Sequence, residues 1–478
     1  MRFAPLFLLC GFAADAALSA AQPDYLRDAR RVAPAPADPA IARAIAGIQP
    51  ARIHSIIEKL VSFQTRNSLS SMEQDLPAGT GVTAAADWIF AQFQQISSDC
   101  GGCLEVKRDT FTADPKSTEG SAWAKRIPSP TRMTNVYAIL RGHDPAQANV
   151  MYLVTGHYDS RDSNVMDDHG FAPGANDDAS GVAVSLESAR VLSKLHLPAT
   201  LVFVAVAGEE QGLVGSAHLA KLAKDEGWKL EGVLNNDIVG GNTTPGDKLQ
   251  LKDRVRVFSE GVPVSATPQQ QRRIRALGAE NDSPSRELAR AMADVDRTYF
   301  PAAGKAPFHA FLVFRPDRYL RGGDHSSFNS EGFAAVRVTE WREDYNHQHQ
   351  NVVRTGNPVL GDLLEFVDFT YVAKVARLNA ATLATLASSP GEPANVKIDA
   401  RELENSTTLR WDQAPGKVDH YDLLWRETTA PDWQYVRRIP PAAANAAVSA
   451  KVPISKDNVI FGVRAVDAAG HRGLVVVP

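Results

Sequence analysis

Cysteine is almost missing from this 478-residue chain, which holds only three, at positions 10, 100 and 103. So few exclude a small fold stapled by a disulfide framework, and also a zinc ribbon, which needs two paired-cysteine turns. Charge of one sign is equally scarce: 51 Lys and Arg against 55 Asp and Glu leave a net charge of −4. That balance excludes a nucleic-acid binder working through a broad basic surface, and no acidic or basic tail points to a polyionic partner. Beyond the N-terminus no apolar run reaches the roughly 18 residues that a membrane span requires. Three catalytic signatures are absent as well: His-Glu-x-x-His, the Gly-x-Ser-x-Gly elbow and the phosphate-cradling glycine loop.

What is present is ordinary globular material, 44% hydrophobic and 22% charged, enough to bury a core. At about 150 residues per domain the length suggests roughly three domains, or two large ones. The first residues, MRFAPLFLLCGFAADAALSAAQ, place Arg2 before an apolar run from Leu6 to Ala14 and then small residues. This layout predicts a signal peptide over 1–21, with Ser19 and Ala21 as the −3 and −1 residues of the cleavage site, and an exported protein in the periplasm or outside the cell. Leu9 stands where a lipid-modification site at Cys10 would carry a small residue. In such a compartment Cys100 and Cys103, in Cys-Gly-Gly-Cys, read as a short structural disulfide.

Residues 22–50, rich in Ala, Pro and Asp, read as a flexible lead-in. Apolar spacing predicts helices over 51–66 and 84–96. Apolar runs then alternate with helical ones through TNVYAIL, NVMYLVTGH, TLVFVAVAG and GVLNNDIVG. Strands without polar alternation are covered on both faces, so 51–388 reads as an α/β domain: a three-layer sandwich around a mostly parallel sheet. Residues 242–320 carry no clear period and read as an elaboration near the site, and a helix over 362–385 closes the domain. After the linker SSPGEPAN the texture changes to short strands (NVKIDA, STTLRW, HYDLLWRE, VIFGVRAV), which predict a small all-β sandwich over 389–478.

Open α/β sheets bind ligands at the carboxyl ends of their strands, so the residues that follow each apolar run carry the chemistry. They are His157 and Asp159, then Glu209 and Glu210, then Asn236 and Asp237, with Asp177 and Asp178 just before a helix. Imidazole and carboxylates at four such edges are the N/O donor set that zinc takes. Of two adjacent glutamates, one can bind a metal while the other moves a proton. A second imidazole is available from His347 or His349 in TEWREDYNHQHQNVV, and GGDHSSF adds Asp324 and His325.

Taken in order, GHYDS, PGANDDASG, GEEQGLVGS, NNDIVG, DHSSF and the late histidine resemble the two-zinc aminopeptidases of metallopeptidase family twenty-eight, over roughly residues 50–385. The resemblance implies the zinc exopeptidase fold and two Zn²⁺ per chain. It implies His157 and Asp237 on one ion, Glu210 and a late histidine on the other, and Asp177 bridging both. Glu209 would be the general acid/base acting on a zinc-bridged hydroxide, with Asp159 orienting His157. The family's His-x-x-x-Asp-Thr, with Asn351-Val352 in place of Asp-Thr, selects His347, and His349 is the competitor. Tyr345 and His325 are placed beside the substrate or the metal shell. The expected activity is removal of N-terminal residues from peptides or proteins, with no nucleic-acid partner and no stable membrane insertion. Same-fold alternatives are a carboxypeptidase, for which Arg318, Arg321 and Arg342 could supply the cationic pocket, or a one-zinc glutaminyl cyclase. An inert surface-binding protein is the remaining alternative. The last ninety residues resemble a fibronectin type III domain, with Trp411 and Tyr421 as core aromatics and Val459 standing where the corner tyrosine would be.

Overall fold

Strands that are apolar at every position need cover on both faces, and the computed structural model shows how this chain supplies it. The structure describes residues 22–27, 29–120, 123–304, 307–401, 403–443 and 446–478. The expected leader over 1–21 lies outside them. Eight strands form the main sheet: β1 (Leu104–Ala113), β2 (Thr131–Leu140), β3 (Val150–His157), β4 (Thr200–Val206), β5 (Lys229–Asn236), β6 (Arg254–Ser259), β7 (His309–Val313) and β8 (Ala335–Thr339). Their spatial order is β1-β2-β4-β3-β5-β8-β6-β7. The central strands β4, β3, β5 and β8 run parallel, while β1, β2 and the β8–β6 pairing are antiparallel.

Alternate residues of the central strands feed two cores. Tyr152, Val154, Leu201 and Phe203 pack under the helices Ala179–Leu192 and Phe369–Ser388. Leu153, Val202 and Val204 meet Leu219, Ala220 and Phe328, from the helices Val214–Asp225 and His325–Ser330, on the other face. The result is the α/β three-layer arrangement read from the sequence. Because β3, β4 and β5 are parallel, their carboxyl ends open onto a single edge, and that edge carries the site.

Two stretches beyond residue 240 differ from the sequence reading. Residues 242–320 extend the sheet with β6 and β7 and contribute the helices Pro268–Leu277 and Pro284–Tyr299. Short strands with charged alternate residues left no long apolar period to detect. The closing helix begins at Phe369, capped by Asp368, rather than near 362, because Asp362 is taken up by loop backbone near the site. Cys100 and Cys103 are bridged as expected.

The C-terminal module is a two-sheet β-structure. One sheet is built from Ala394–Ile398, Thr407–Asp412 and Val448–Val452. The other is built from His420–Glu427, Tyr435–Ile439 and Val459–Val466. Trp411 and Tyr421 meet edge to face at 5.4 Å in its core.

The lead-in is not free chain. Arg30 and Arg31 pair antiparallel with Val436 and Tyr435, adding an edge strand to the module. Trp425 donates from Nε1 to the carbonyl of Tyr25 at 3.0 Å, and the Ser455 amide donates to Asp24 at 2.7 Å. Asp38 caps the helix Pro39–Ala46. An edge strand gains its hydrogen bonds from its neighbour and needs no apolar period of its own, so composition alone reads it as disordered. A buried polar seam joins the module to the helix Pro284–Tyr299. Trp433 donates to Glu287 at 2.8 Å, Arg426 pairs with Asp282, and Arg464 bridges Asp294 and Asp422.

His471 ties the lead-in to this module, with Nε2 3.0 Å from Asp38 and Nδ1 2.8 Å from Asp467. Burial disfavours its charge, but the hydrogen bonds to Asp467 and Asp38 prevail and raise its pKa above the ordinary 6.5. A raised folded pKa gives stability that is full below 6.5 and fades as pH climbs through the raised value. The lowered pKa values of Asp38 and Asp467 add stability above their ordinary 3.8, lost as pH falls through the lowered values. The difference in thermal midpoint between wild type and His471→Asn is therefore expected to be largest near about pH 6 and to shrink towards pH 9. A difference independent of pH would show that the imidazole is neutral in this contact.

Candidate metal centre

His157, Asp159, Glu209, Glu210 and Asp237 sit where parallel strands stop. His157 closes β3, with Nδ1 3.1 Å from the carbonyl oxygen of Asp159. Donation from Nδ1 leaves Nε2 as a lone-pair donor turned to the opposite side. There it lies 3.0 Å from Asp177 Oδ1 and 4.0 Å from Asp237 Oδ1. The Asp159 carboxylate reaches across to the next strand end, accepting from the amides of Glu209 at 3.2 Å and Glu210 at 3.1 Å, and from the Ser68 hydroxyl. One side chain thus fixes the loops after β3 and β4 together.

Asp177 and its neighbour Asp178 divide the work in GANDDASG. Asp178 caps the helix Ala179–Leu192 through the Gly181 amide at 2.9 Å and accepts from the His157 amide at 3.0 Å. This joins helix start to strand end. Gly181 is required here, because a Cβ would stand 2.2 Å from the carbonyl oxygen of Asn236. Asp177 is left free to face the cleft. Its amide and that of Asn176 donate to Asp362 at 2.7 and 2.8 Å, and Gln348 donates to its Oδ2 at 3.1 Å. Beneath this loop the buried guanidinium of Arg66 donates to four carbonyls, those of Leu60, Tyr158, Pro173 and Gly174.

The late imidazole is His349. Its Nε2 lies 3.0 Å from Asp177 Oδ2 and 2.9 Å from Glu210 Oε1. Its backbone φ of 53° is uncommon for a residue with a side chain. His347, selected from the spacing to Asn351, stacks instead on Phe366 at 3.6 Å, with Nδ1 3.3 Å from the Thr244 hydroxyl. Asn351, from which that spacing is counted, accepts from Ser163 at the surface. Tyr345 is 64% exposed and is not among the residues that line the cleft over the cluster. His325 is buried behind the site, 2.8 Å from the Pro316 carbonyl and 3.9 Å from Asp317.

The donors fall into two groups, His157 with Glu209 and Asp237, and Asp177 with Glu210 and His349. The two oxygens of Asp177 face one group each. His157 Nε2 and Glu210 Oε1 are buried, and their short contacts to Asp177 and His349 lack hydrogen-bond geometry. Orphaned donors in a water-poor cluster of carboxylates are costly unless cations compensate them, and nitrogen with oxygen is a donor set that suits zinc. The residues present therefore fit the metal. Burial pushes the Glu209 carboxyl well up, and Glu210, Asp237 and Asp324 reinforce this against His157. Asp324, fully buried, is pushed up to about 7.

Sequence reading missed Arg66, Asp362, Gln348 and Arg337. Arg337, wholly buried in β8, places Nη1 2.6 Å from Asp237 Oδ2. It had a signal: a lone arginine inside the apolar strand AAVRVTE, where only a buried anion offsets its charge. The cleft over the cluster encloses about 310 Å³, and Arg126, Arg161, Arg318, Leu320 and Arg321 share its lining with the metal-facing carboxylates. Arg342 is directed to Asp247 instead.

Residues 135–360 match the model of peptidase family M28. A probable zinc metalloprotease of Pyricularia oryzae is 43% identical over 444 residues, covering 91% of this chain and 83% of that protein. A second, from Leptosphaeria maculans, is 40% identical over 449 residues, covering 94% and 98%. The solved LapA aminopeptidase of Legionella pneumophila aligns at 20% identity with a TM-score of 0.48, over 73% of this chain and 74% of its own. The fold and the strand-end carboxylates define a metallopeptidase-type α/β domain. The chain belongs to peptidase family M28.

His349→Ala is expected to lower the zinc content of purified protein, since it opens the group of Asp177 and Glu210, whereas His347→Ala should keep it. Metal analysis of both variants checks this, and the reverse pattern would restore His347 as the ligand.

Proposed function

We propose that this zinc metalloprotease is an exported aminopeptidase that removes N-terminal residues from peptides using two zinc ions. The observation that carries the reading is the shared carboxylate: Asp177 faces both donor groups, while Glu209 reaches the cleft with part of its side chain open. His157, Asp177 and Asp237 would hold one ion, and Asp177, Glu210 and His349 the other. Bound zinc would supply an acidified water and polarise the scissile carbonyl.

The chain's own residues do the rest. Glu209 takes the proton of the attacking water on its carboxylate and returns it to the departing amine nitrogen. Burial favours this, because it stabilises the protonated form between the two transfers. Asp159 keeps Glu209 and Glu210 in register through their amides. The carboxylate-rich wall suits the free α-ammonium of a substrate. Two complete donor groups speak against a one-zinc cyclase. Export is supported by the apolar leader and by the Cys100–Cys103 bridge. The C-terminal module is read as fibronectin type III-like on its core aromatics, Trp411 and Tyr421.

Glu209→Gln is expected to keep its zinc and lose about 10²- to 10⁴-fold in kcat. Near-normal turnover would place the proton transfer elsewhere. Peptides with free or blocked ends test the reaction itself. Cleavage should vanish when the amine is acetylated and survive amidation of the carboxyl end, and the opposite pattern would identify a carboxypeptidase.

A further inference from the structure

Four guanidiniums line the cleft, and they differ in what already holds them. Arg318 pairs with Asp317 at 3.0 Å and Glu343 at 2.9 Å, and Arg321 pairs with Glu343 at 2.9 Å. Their charge is spent on the wall. Arg126 and Arg161 have no ion-pair partner among the described residues. Arg126 donates to the backbone carbonyl of Glu210 at 2.6 Å, and Arg161 to the carbonyls of Asp162 and Ser163 at 3.0 Å each. Both are half-buried. Both line the same cleft as Glu209, Glu210 and Asp177, and burial, followed by the like charge of Arg161, lowers the pKa of Arg126.

Two guanidiniums that share one cleft lining without an ion-pair partner leave positive charge there uncompensated, and a bound anion would relieve it. Glu209 and Glu210 attract Arg126, but in the reading above zinc binding satisfies Glu210, which leaves the pair for the substrate. A guanidinium presents a planar fork that matches a carboxylate.

We propose that Arg126 and Arg161 form a subsite for a substrate carboxylate, so that the enzyme prefers peptides carrying an acidic group next to the scissile bond. The inference rests on the aminopeptidase reading of the same cleft. The carboxylate can come from an acidic side chain on the second residue or from the chain end of a dipeptide.

The test compares kcat/KM of the zinc-loaded full-length protein on two matched pairs: Leu-Asp-amide against Leu-Asn-amide, and Leu-Gly against Leu-Gly-amide. A preference of about tenfold or more for the charged member is expected in at least one pair, and the pair that shows it identifies the source. Arg161→Gln should shrink that ratio towards one, while Arg126→Lys, which keeps the charge but not the fork, should shrink it less. In wild type, KM of the charged member should rise with salt while that of its neutral match stays flat. The salt series keeps the test decisive if a variant fails to fold. Equal rates within both pairs, with no salt dependence, would overturn the subsite and leave the aminopeptidase reading standing. No turnover of any of the four peptides would remove that reading and the subsite with it.

Discussion

Crowding of negative charge is the constraint on which the rest of this structure depends. Asp177, Glu209, Glu210 and Asp237 converge at one edge of a buried sheet, where low polarisability makes mutual repulsion severe. The protein supplies only partial relief, through two imidazoles, Arg337 and, at the rim, Arg126. The remainder has to come from outside the chain, and a dication of the kind the family uses provides it. The cluster is thus unfavourable in isolation and functional only with its guest.

Holding such groups in place requires a second ring of residues whose charge never meets the substrate. Arg66 ties four carbonyls under the Asp177 loop, Asp362 gathers two amides of that loop, and Asp178 joins helix to strand. Asp159 plays the equivalent part between β3 and β4. These contacts are made largely to backbone, so the geometry of the cage is set by hydrogen bonds of fixed direction rather than by flexible side chains meeting one another. The fold contributes the coarse placement, by making three parallel strands end together.

Much of this was legible before any coordinates. The uninterrupted apolar runs gave β3 and β4, and the residues just past them gave His157, Glu209, Glu210 and Asp237, because strand ends in a parallel sheet share an edge. Less legible was anything decided by a turn. His347 and His349 are two residues apart, and only the positive φ of His349 settles which imidazole reaches Asp177. Arg66 and Asp362 act on carbonyls and amides, which carry no sequence signature. The lead-in was misread for a similar reason: its order is borrowed from the edge at Tyr435–Ile439.

That borrowed order has a consequence for how the chain is made. Arg30 and Arg31 complete a sheet whose other strands begin at His420. A polypeptide synthesised from its amino end must therefore keep this edge strand waiting until its partner strands, more than 380 residues later, have emerged. Closure of that contact is a late event of very high sequence separation. It reports that the C-terminal module has been made, in the manner of a clasp fastened last.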